Sequence, residues 1–368
     1  LEETGIATAA PERSRPWPQP EELMTIARKF TSLGIATALV MGGASVAVAQ
    51  DDAAIDIPPP GPELCGDQEW EVGFANLVRD ITFTIDVEES IQRAADATGC
   101  VNLSIFDNEL DGATALANAR NMITLGSQGV IEFQTDEKFG LVLMDEFRAE
   151  NIPVVAIDIP MPGATFFGAD NYRAGFMAGE GMGTAFQEQF PESEPLLFLG
   201  ELPQSGPVPA ARMTGILEGV RSVYPELDDE TQVVRFDSKN TLEESRTQMS
   251  NLIQTVPEGT KFMGAAINDG STIGMQAAIL TAGRGEDAIL ASQNADSTFR
   301  EEVCNNPDSI ILGSTAYFPE KYGDKLIPTI LLLMQGEPVP PSVYVDHVFL
   351  TLDNMAEYYP DEECPALS

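Results

Sequence analysis

From residue 65 onward, short apolar runs of strand length alternate with longer segments whose apolar positions recur every three or four residues. The runs WEVGFA (70–75), VNLSIFD (101–107), GVIEF (129–133) and PVVAID (153–158) predict strands. Periodic stretches over 85–98, 113–125 and 139–150 predict the helices between them. Gly99, Gly126 and Pro153 stand where those helices must stop, because glycine accepts the left-handed conformation that ends a helix and proline does not continue one. Alternation of this kind implies a parallel sheet with helices on both faces.

The alternation then restarts, with helices expected over 172–190, 210–224, 242–256 and 272–282 and strands over 195–200, 232–237, 261–269 and 288–294. A helix over 298–304, a strand over 309–317, a long helix over 322–334 and a last strand over 345–352 complete the pattern. At 368 residues the chain exceeds what one hydrophobic core organises. The expected fold class is α/β, with two doubly wound parallel-sheet lobes joined by a multi-strand hinge. An N-terminal lobe of 65–168 plus 318–342 and a C-terminal lobe of 169–317 plus 343–368 are expected. Open α/β sheets bind ligands beyond the carboxyl ends of their strands, so two facing lobes would share one cleft there.

Ahead of the lobes, residues 24–49 read MTIARKFTSLGIATALVMGGASVAVA. Arg28 and Lys29, an uncharged middle and the small residues Ala47 and Ala49 form the three parts of a cleavable export signal. Cleavage after Ala49 leaves Gln50 first. Thr, Ser and Gly dilute the apolar stretch, which argues against a retained anchor. Residues 1–23 carry no functional pattern, and 50–64 form a Pro-rich linker. The chain is therefore expected in the periplasm or outside the cell.

Charge narrows the choice of partners. With 58 acidic and 20 basic residues the formal net charge is -38, and no basic run offers a phosphate backbone its counterion-releasing patch. Nucleic acid is excluded as a partner. The acid is scattered rather than blocked, as on a solvated surface suited to a salty medium. Removing 1–49 takes away Arg13, Arg15, Arg28 and Lys29 with Glu2, Glu3, Glu12, Glu21 and Glu22, so the excess belongs to the mature chain. Cys65, Cys100, Cys304 and Cys364, an even set behind an export signal, imply two disulfides. Cys65 precedes the first strand and Cys100 the second, and neighbouring parallel strands start at one sheet edge. That pairs Cys65 with Cys100 and leaves Cys304 for Cys364. Without C-x-x-C spacing, and with His347 the only histidine, neither a zinc site nor a Cys–His catalytic pair is indicated.

Seven segments in order carry a resemblance: VGFAN, DNELDGATALANARNMITLGSQGVI, VVAIDIPMPG, FFGADNYRAGFMAG, AARMTGILEGV, AAINDGSTIGMQAAILTAG and LTLDN. Together, over 65–359, the chain resembles the pentose- and hexose-binding type I periplasmic binding proteins. The resemblance implies a monomer that takes a small sugar or polyol, closes around it and delivers it to a membrane ABC transporter permease, without a cofactor. It implies Asp158 as a carboxylate accepting ring hydroxyls, Arg212 as a planar donor and Asn268 as donor and acceptor together. Asn294 stands where relatives commonly carry Asp, Tyr317 at a lobe crossing, and Phe83 and Thr84 in place of paired aromatics. Gln134 and Asn240 are nominated by their place in loops after strands. Asp269 is expected to cap the following helix, and Phe166, Phe167 and Phe186 to pack the core or hinge. Ile159 replaces the arginine of a ribose pocket, which disfavours ribose.

An enzyme finds little support. No G-x-G-x-x-G follows the first strand, GEGMG (179–183) falls inside a helix-like segment, and neither a P-loop nor a G-x-S-x-G elbow occurs. His347, within the expected final strand, reads as structural. The sensor core of a sugar-responsive repressor shares this fold but needs a basic helix-turn-helix ahead of it, where an export signal and a Pro-rich linker stand instead. A binding protein that addresses a chemoreceptor is compatible with the same sequence.

Overall fold

The computed structural model describes residues 56–134 and 136–367. The upstream segment, the export signal and the first residues of the Pro-rich linker lie outside the described residues. The chain enters through β1 (Trp70–Asn76), α1 (Thr82–Thr98), β2 (Val101–Asp107), α2 (Gly112–Leu125), β3 (Gly129–Glu132), α3 (Glu137–Ala149), β4 (Val154–Ile157) and β5 (Thr165–Gly168). It continues through α4 (Asn171–Gln189), β6 (Leu196–Glu201), α5 (Pro207–Val223), β7 (Val233–Asp237), α6 (Leu242–Ile253), β8 (Phe262–Ala266), α7 (Asp269–Thr281), β9 (Ala288–Asn294), α8 (Ser297–Asn305) and β10 (Ile311–Ala316). Last come α9 (Gly323–Gln335), β11 (Ser342–Tyr344), β12 (Val348–Thr351) and the single turn α10 (Met355–Tyr358).

These elements form two six-stranded sheets, ordered β11-β5-β4-β3-β1-β2 and β12-β10-β9-β8-β6-β7. Every pairing is parallel except β10 with β12. The central strands β3, β4, β8 and β9 are buried along their whole length, as expected of a parallel sheet covered on both faces. One face of the first sheet packs Phe74, Ile131, Val155 and Phe167 against Ile91 of α1 and Ile327 and Ile330 of α9. The other packs Val130 and Ala156 against Met122 and Phe147. In the second sheet Phe198, Phe262 and Leu290 face Met275 and Ile279, while Leu197, Leu199 and Ala265 face Met182, Phe186 and Ile216. The two lobes and the parallel α/β class are those the sequence predicts.

Two strands were not foreseen. TFFG (165–168) becomes β5 and SVY (342–344) becomes β11, which pairs with β5 in the first sheet. The chain therefore returns to the second sheet between Tyr344 and Val348, two residues later than the expected boundary. The final strand is shorter than 345–352, and His347 precedes it. Three connections join the lobes: β5 to α4, β10 to α9, and β11 to β12.

In GEGMG a Cβ on Gly179 would overlap the Ile216 carbonyl and one on Gly181 the Phe349 ring, so these glycines serve packing. α4 and α5 press together at glycine positions, where a Cβ on Gly175 would overlap the Arg212 carbonyl and one on Gly215 that of Tyr172. This contact sets the height of Arg212 beside the start of α4.

Candidate functional site

The carboxyl ends of both sheets face a common cleft. It closes over a cavity of about 80 Å³ lined from the first lobe by Leu77, Ile81, Phe83, Thr84, Phe133, Gln134, Asp158 and Ile159. The second lobe contributes Leu202, Ser205, Pro209, Arg212, Asn240, Ile267, Asn268 and Asn294. The lobes also touch beside it, where the Thr298 hydroxyl meets that of Thr82 at 2.8 Å.

Asp158 follows β4 in the left-handed conformation, φ 57°. Its backbone N–H donates to the Phe167 carbonyl at 2.8 Å, and its Oδ1 faces the N–H of Ala169 at 3.4 Å. Any Cβ at Gly168 would overlap that oxygen, so glycine is required where β5 passes under the carboxylate. Burial pushes the Asp158 carboxyl up to about 6, opposed by the charge of Arg212 and the N–H of Ala169.

Arg212, only 7% exposed, is fixed on three sides. Its Nε donates to Asn171 Oδ1 at 3.1 Å, its Nη1 donates to the Ile267 carbonyl, and its guanidinium lies 4.8 Å from the centre of the Tyr317 ring. A fork held this way presents its remaining N–H groups in one direction. Asn268 Nδ2 donates to Asn240 Oδ1 at 2.8 Å, which orients both amides at the cavity edge. Asn240 and Asn294 adopt positive φ, 62° and 105°, a conformation asparagine tolerates better than most residues. Gln134 accepts the Asp136 N–H at 2.8 Å, while its buried Nε2 has no partner among the described residues. The Thr84 hydroxyl is committed to the Ile81 carbonyl at 2.8 Å.

Of the nominated residues the structure thus brings Phe83, Thr84, Gln134, Asp158, Arg212, Asn240, Asn268 and Asn294 to one cavity. Tyr317 does not line it. Fully buried behind Arg212, it donates its hydroxyl to Gln293 Oε1 at 2.9 Å and supports the guanidinium from below. The expected cap is also exchanged: Asn268, not Asp269, caps α7 by accepting the Ser271 N–H at 2.8 Å. Asp269 turns inward to accept from the Ser314 hydroxyl at 2.7 Å and the Asp296 N–H at 2.9 Å. Burial, and then the charge of Asp296, hold its carboxyl well above the ordinary range.

Ile159 lines the cavity as its pocket position implies, but sequence reasoning missed the rest of the apolar wall, Leu77, Ile81, Phe133 and Ile267, and the loop carrying Leu202, Ser205 and Pro209. The signal was present in ELPQSGPVP, a turn-rich segment after β6 that occupies a ligand-loop position. Both expected disulfides are present, Cys65–Cys100 and Cys304–Cys364. Among the described residues no helix is long and apolar enough to cross a membrane. None of their His, Cys, Asp and Glu side chains form a group of three or more that could hold a metal ion.

Two parallel-sheet lobes meeting over a mixed polar and apolar cavity define a two-lobed binding protein of the type I periplasmic fold. The periplasmic binding protein domain family matches residues 72–338, and the chain belongs to that family. In structure it is similar to an ABC transporter solute-binding protein of Bacillus halodurans C-125 with bound myo-inositol, at TM-score 0.68 and 16% identity, covering 81% of this chain and 100% of that one. A periplasmic solute-binding protein of Actinobacillus succinogenes 130z with bound D-allose gives TM-score 0.67 and 16% identity over 79% and 100%. A Mycobacterium smegmatis protein in complex with β-D-fucofuranose gives TM-score 0.68 and 22% identity over 79% and 94%. No curated protein matches the sequence.

Proposed function

We propose that this chain is an exported solute-binding protein that captures one small sugar or polyol between its lobes and hands it to an ABC transporter. The observation that carries this reading is the single cavity in which Asp158 and Gln134 of the first lobe oppose Arg212, Asn240, Asn268 and Asn294 of the second. A carboxylate acceptor, a guanidinium donor and four amides match the mixed donors and acceptors of a polyol. Phe83, Phe133 and Ile159 offer apolar contact to its C–H face. A volume of about 80 Å³ is several times the roughly 10–15 Å³ that admits one water, which suits a single ring and not a chain of sugars. Myo-inositol, D-allose and fucofuranose, bound by the structural relatives, are ligands of that size and chemistry. One chain supplies the whole lining, so a single chain suffices to form the proposed binding unit. Asp158 is the one carboxylate at the cavity, and no histidine, lysine or cysteine joins it, which favours binding over catalysis.

Ligands that contact both lobes prefer the closed arrangement, and that preference is what shifts the population towards it. Thermal-shift screening with myo-inositol, D-allose, D-fucose, D-glucose and glycerol finds the ligand, since one present at a hundred times its Kd stabilises the native state by about 2.7 kcal/mol. Calorimetry then shows Asp158→Ala and Arg212→Ala losing about 1.5–3 kcal/mol, roughly tenfold to a hundredfold in affinity. Asn268→Ala loses both a ligand contact and a helix cap, so its ligand-free melting temperature falls as well. Folded variants that bind as tightly as the parent, or a panel in which nothing binds, would sink the reading. Export adds an independent check: intact-mass analysis of the mature protein gives a chain beginning at Gln50. A membrane-bound product retaining Arg28 contradicts it.

A further inference from the structure

The only histidine in the sequence sits where the three inter-lobe connections meet. His347, 7% exposed, lies in the connection from β11 to β12. Its Nε2 accepts the backbone N–H of Asp170, in the connection from β5 to α4, at 3.0 Å. Its Nδ1 lies 3.1 Å from the carbonyl of Ala316, which opens the connection from β10 to α9. A backbone N–H can only donate and a carbonyl can only accept, so the partners fix the protonation: Nδ1 carries the proton and Nε2 is bare. The imidazole edge also packs on Tyr317 at 5.0 Å between ring centres, and the Tyr317 ring supports Arg212 on its other contact. Asn171, which holds Arg212 Nε, adjoins Asp170. His347 therefore reaches two of the three supports of the guanidinium.

We infer that neutral His347 staples the three connections together and, through Tyr317 and the start of α4, holds Arg212 in the orientation the cleft needs; it is a positioning residue. A second proton would set a donor against the Asp170 N–H and break that bond. Burial disfavours the extra charge and lowers the histidine below its usual range, as do Arg212 on α5 and Arg173 on α4. The Ala316 carbonyl and the Asp170 carboxylate act the other way, and that carboxylate already caps α4 by accepting the Arg173 N–H. Asp346 beside it is exposed. The staple thus holds at neutral pH and opens in acid.

This inference relies on the sugar-site reading only for what Arg212 faces, and its test needs no ligand. Imidazole nitrogen NMR at pH 7.5 shows a single protonated nitrogen, Nδ1. His347→Gln, whose amide can donate and accept, leaves the Arg212 Nε resonance in place and the Asp170 amide nearly as protected from exchange as in the parent. His347→Phe keeps a ring but neither hydrogen bond, so it displaces that resonance and lowers the Asp170 protection factor at least tenfold. In the parent the protection factor also falls on acidification, whereas in His347→Gln it does not. An Nε2-protonated imidazole, or equal Asp170 protection and Arg212 resonances in all three proteins, overturns the inference. If His347→Phe does not fold, the tautomer and the acid-dependent protection of the parent against His347→Gln decide alone. Should the staple behave as described while no sugar binds, the hinge assignment stands and the ligand reading fails.

Discussion

Reducing the Cys65–Cys100 disulfide destabilises the whole chain by about 4 kcal/mol, as expected for the loop entropy returned to the unfolded state by a 35-residue closure. The bond joins the segment ahead of β1 to the residue before β2. Two hydrogen bonds fasten the same place: Trp70 N–H donates to the Cys100 carbonyl at 2.8 Å, and the Trp70 indole donates to the Cys65 carbonyl at 3.1 Å. The closed loop contains β1 and α1, central to the first core, so it cannot open without global unfolding. Cys304–Cys364 closes 60 residues, and loop length alone makes it slightly more stabilising. Its effect is nonetheless smaller in a melting experiment, because it ties a C-terminal tail that can release locally. Arg300 holds that tail independently, through Glu362 at 2.6 Å and the Tyr359 ring at 4.0 Å. Calorimetry of the Cys65→Ala/Cys100→Ala pair should therefore show the larger drop in unfolding temperature. The Cys304→Ala/Cys364→Ala pair should instead free the last residues to proteolysis. Equal melting of the first pair and the parent would mean that the bridge contributes nothing.

The sequence disclosed what depends on local pattern. Strands such as AILASQN (288–294) and helix ends such as Gly99 and Gly126 announce themselves through periodicity and turn chemistry. Because the ligand edge of a parallel sheet is its carboxyl edge, position after a strand points to Gln134 and Asn240, whereas Asp158 and Asn268 are reached through the family resemblance. What stayed hidden depends on packing. β5 is four residues buried on both faces, with no alternation to mark it as a strand, and β11 is three residues behind a proline pair. Tyr317 was placed at the crossing, but which way a crossing side chain turns is decided by Arg212 and His347, far away in sequence. Asn268 and Asp269 are adjacent and both suited to capping; the inward Ser314 and the Asp296 N–H determine which of them turns into the core. Glu132 is the one charged residue in the apolar run GVIEF, and nothing local shows that it is buried opposite Asn108 on another loop.

That glutamate leads to an unusual pH dependence: the fold is more stable at pH 5 than at pH 8, by about 4 kcal/mol from Glu132 alone. It lies fully buried in β3, where Oε1 accepts Asn108 Nδ2 at 2.9 Å and Oε2 has no partner among the described residues. Burial raises its carboxyl to about 8 against the opposing pull of the Asn108 hydrogen bond, while in the unfolded chain it returns to an ordinary value near 4.5. Between those values the folded state holds a proton that the unfolded state has lost. Stability then rises as pH falls, by up to about 1.4 kcal/mol per pH unit, until the unfolded carboxyl also protonates. Asp158 and Asp86, each raised to about 6 mainly by burial, add to the same trend between about pH 6 and pH 4. Asp86 adds less, because it is half-exposed where α1 faces Asp296 and Arg300. In the opposite direction work Asp111, held low by the Thr114 N–H, and Asp228, held low by the Thr231 hydroxyl. Their support is lost only as pH drops through their folded values, whereas His347, held low by burial, loses support once the unfolded imidazole protonates below about pH 6.5 and so flattens the trend on its acid side. Relief of repulsion among the many surface carboxylates also favours acid, but salt screens that part and hardly touches a buried group. Chemical unfolding in 1 M salt at pH 5, 6.5 and 8 therefore retains the slope in the parent. Glu132→Gln melts like the parent at pH 5, is the more stable of the two at pH 8, and flattens the curve between pH 6.5 and 8. An undiminished slope in that variant would show that Glu132 does not carry the proton.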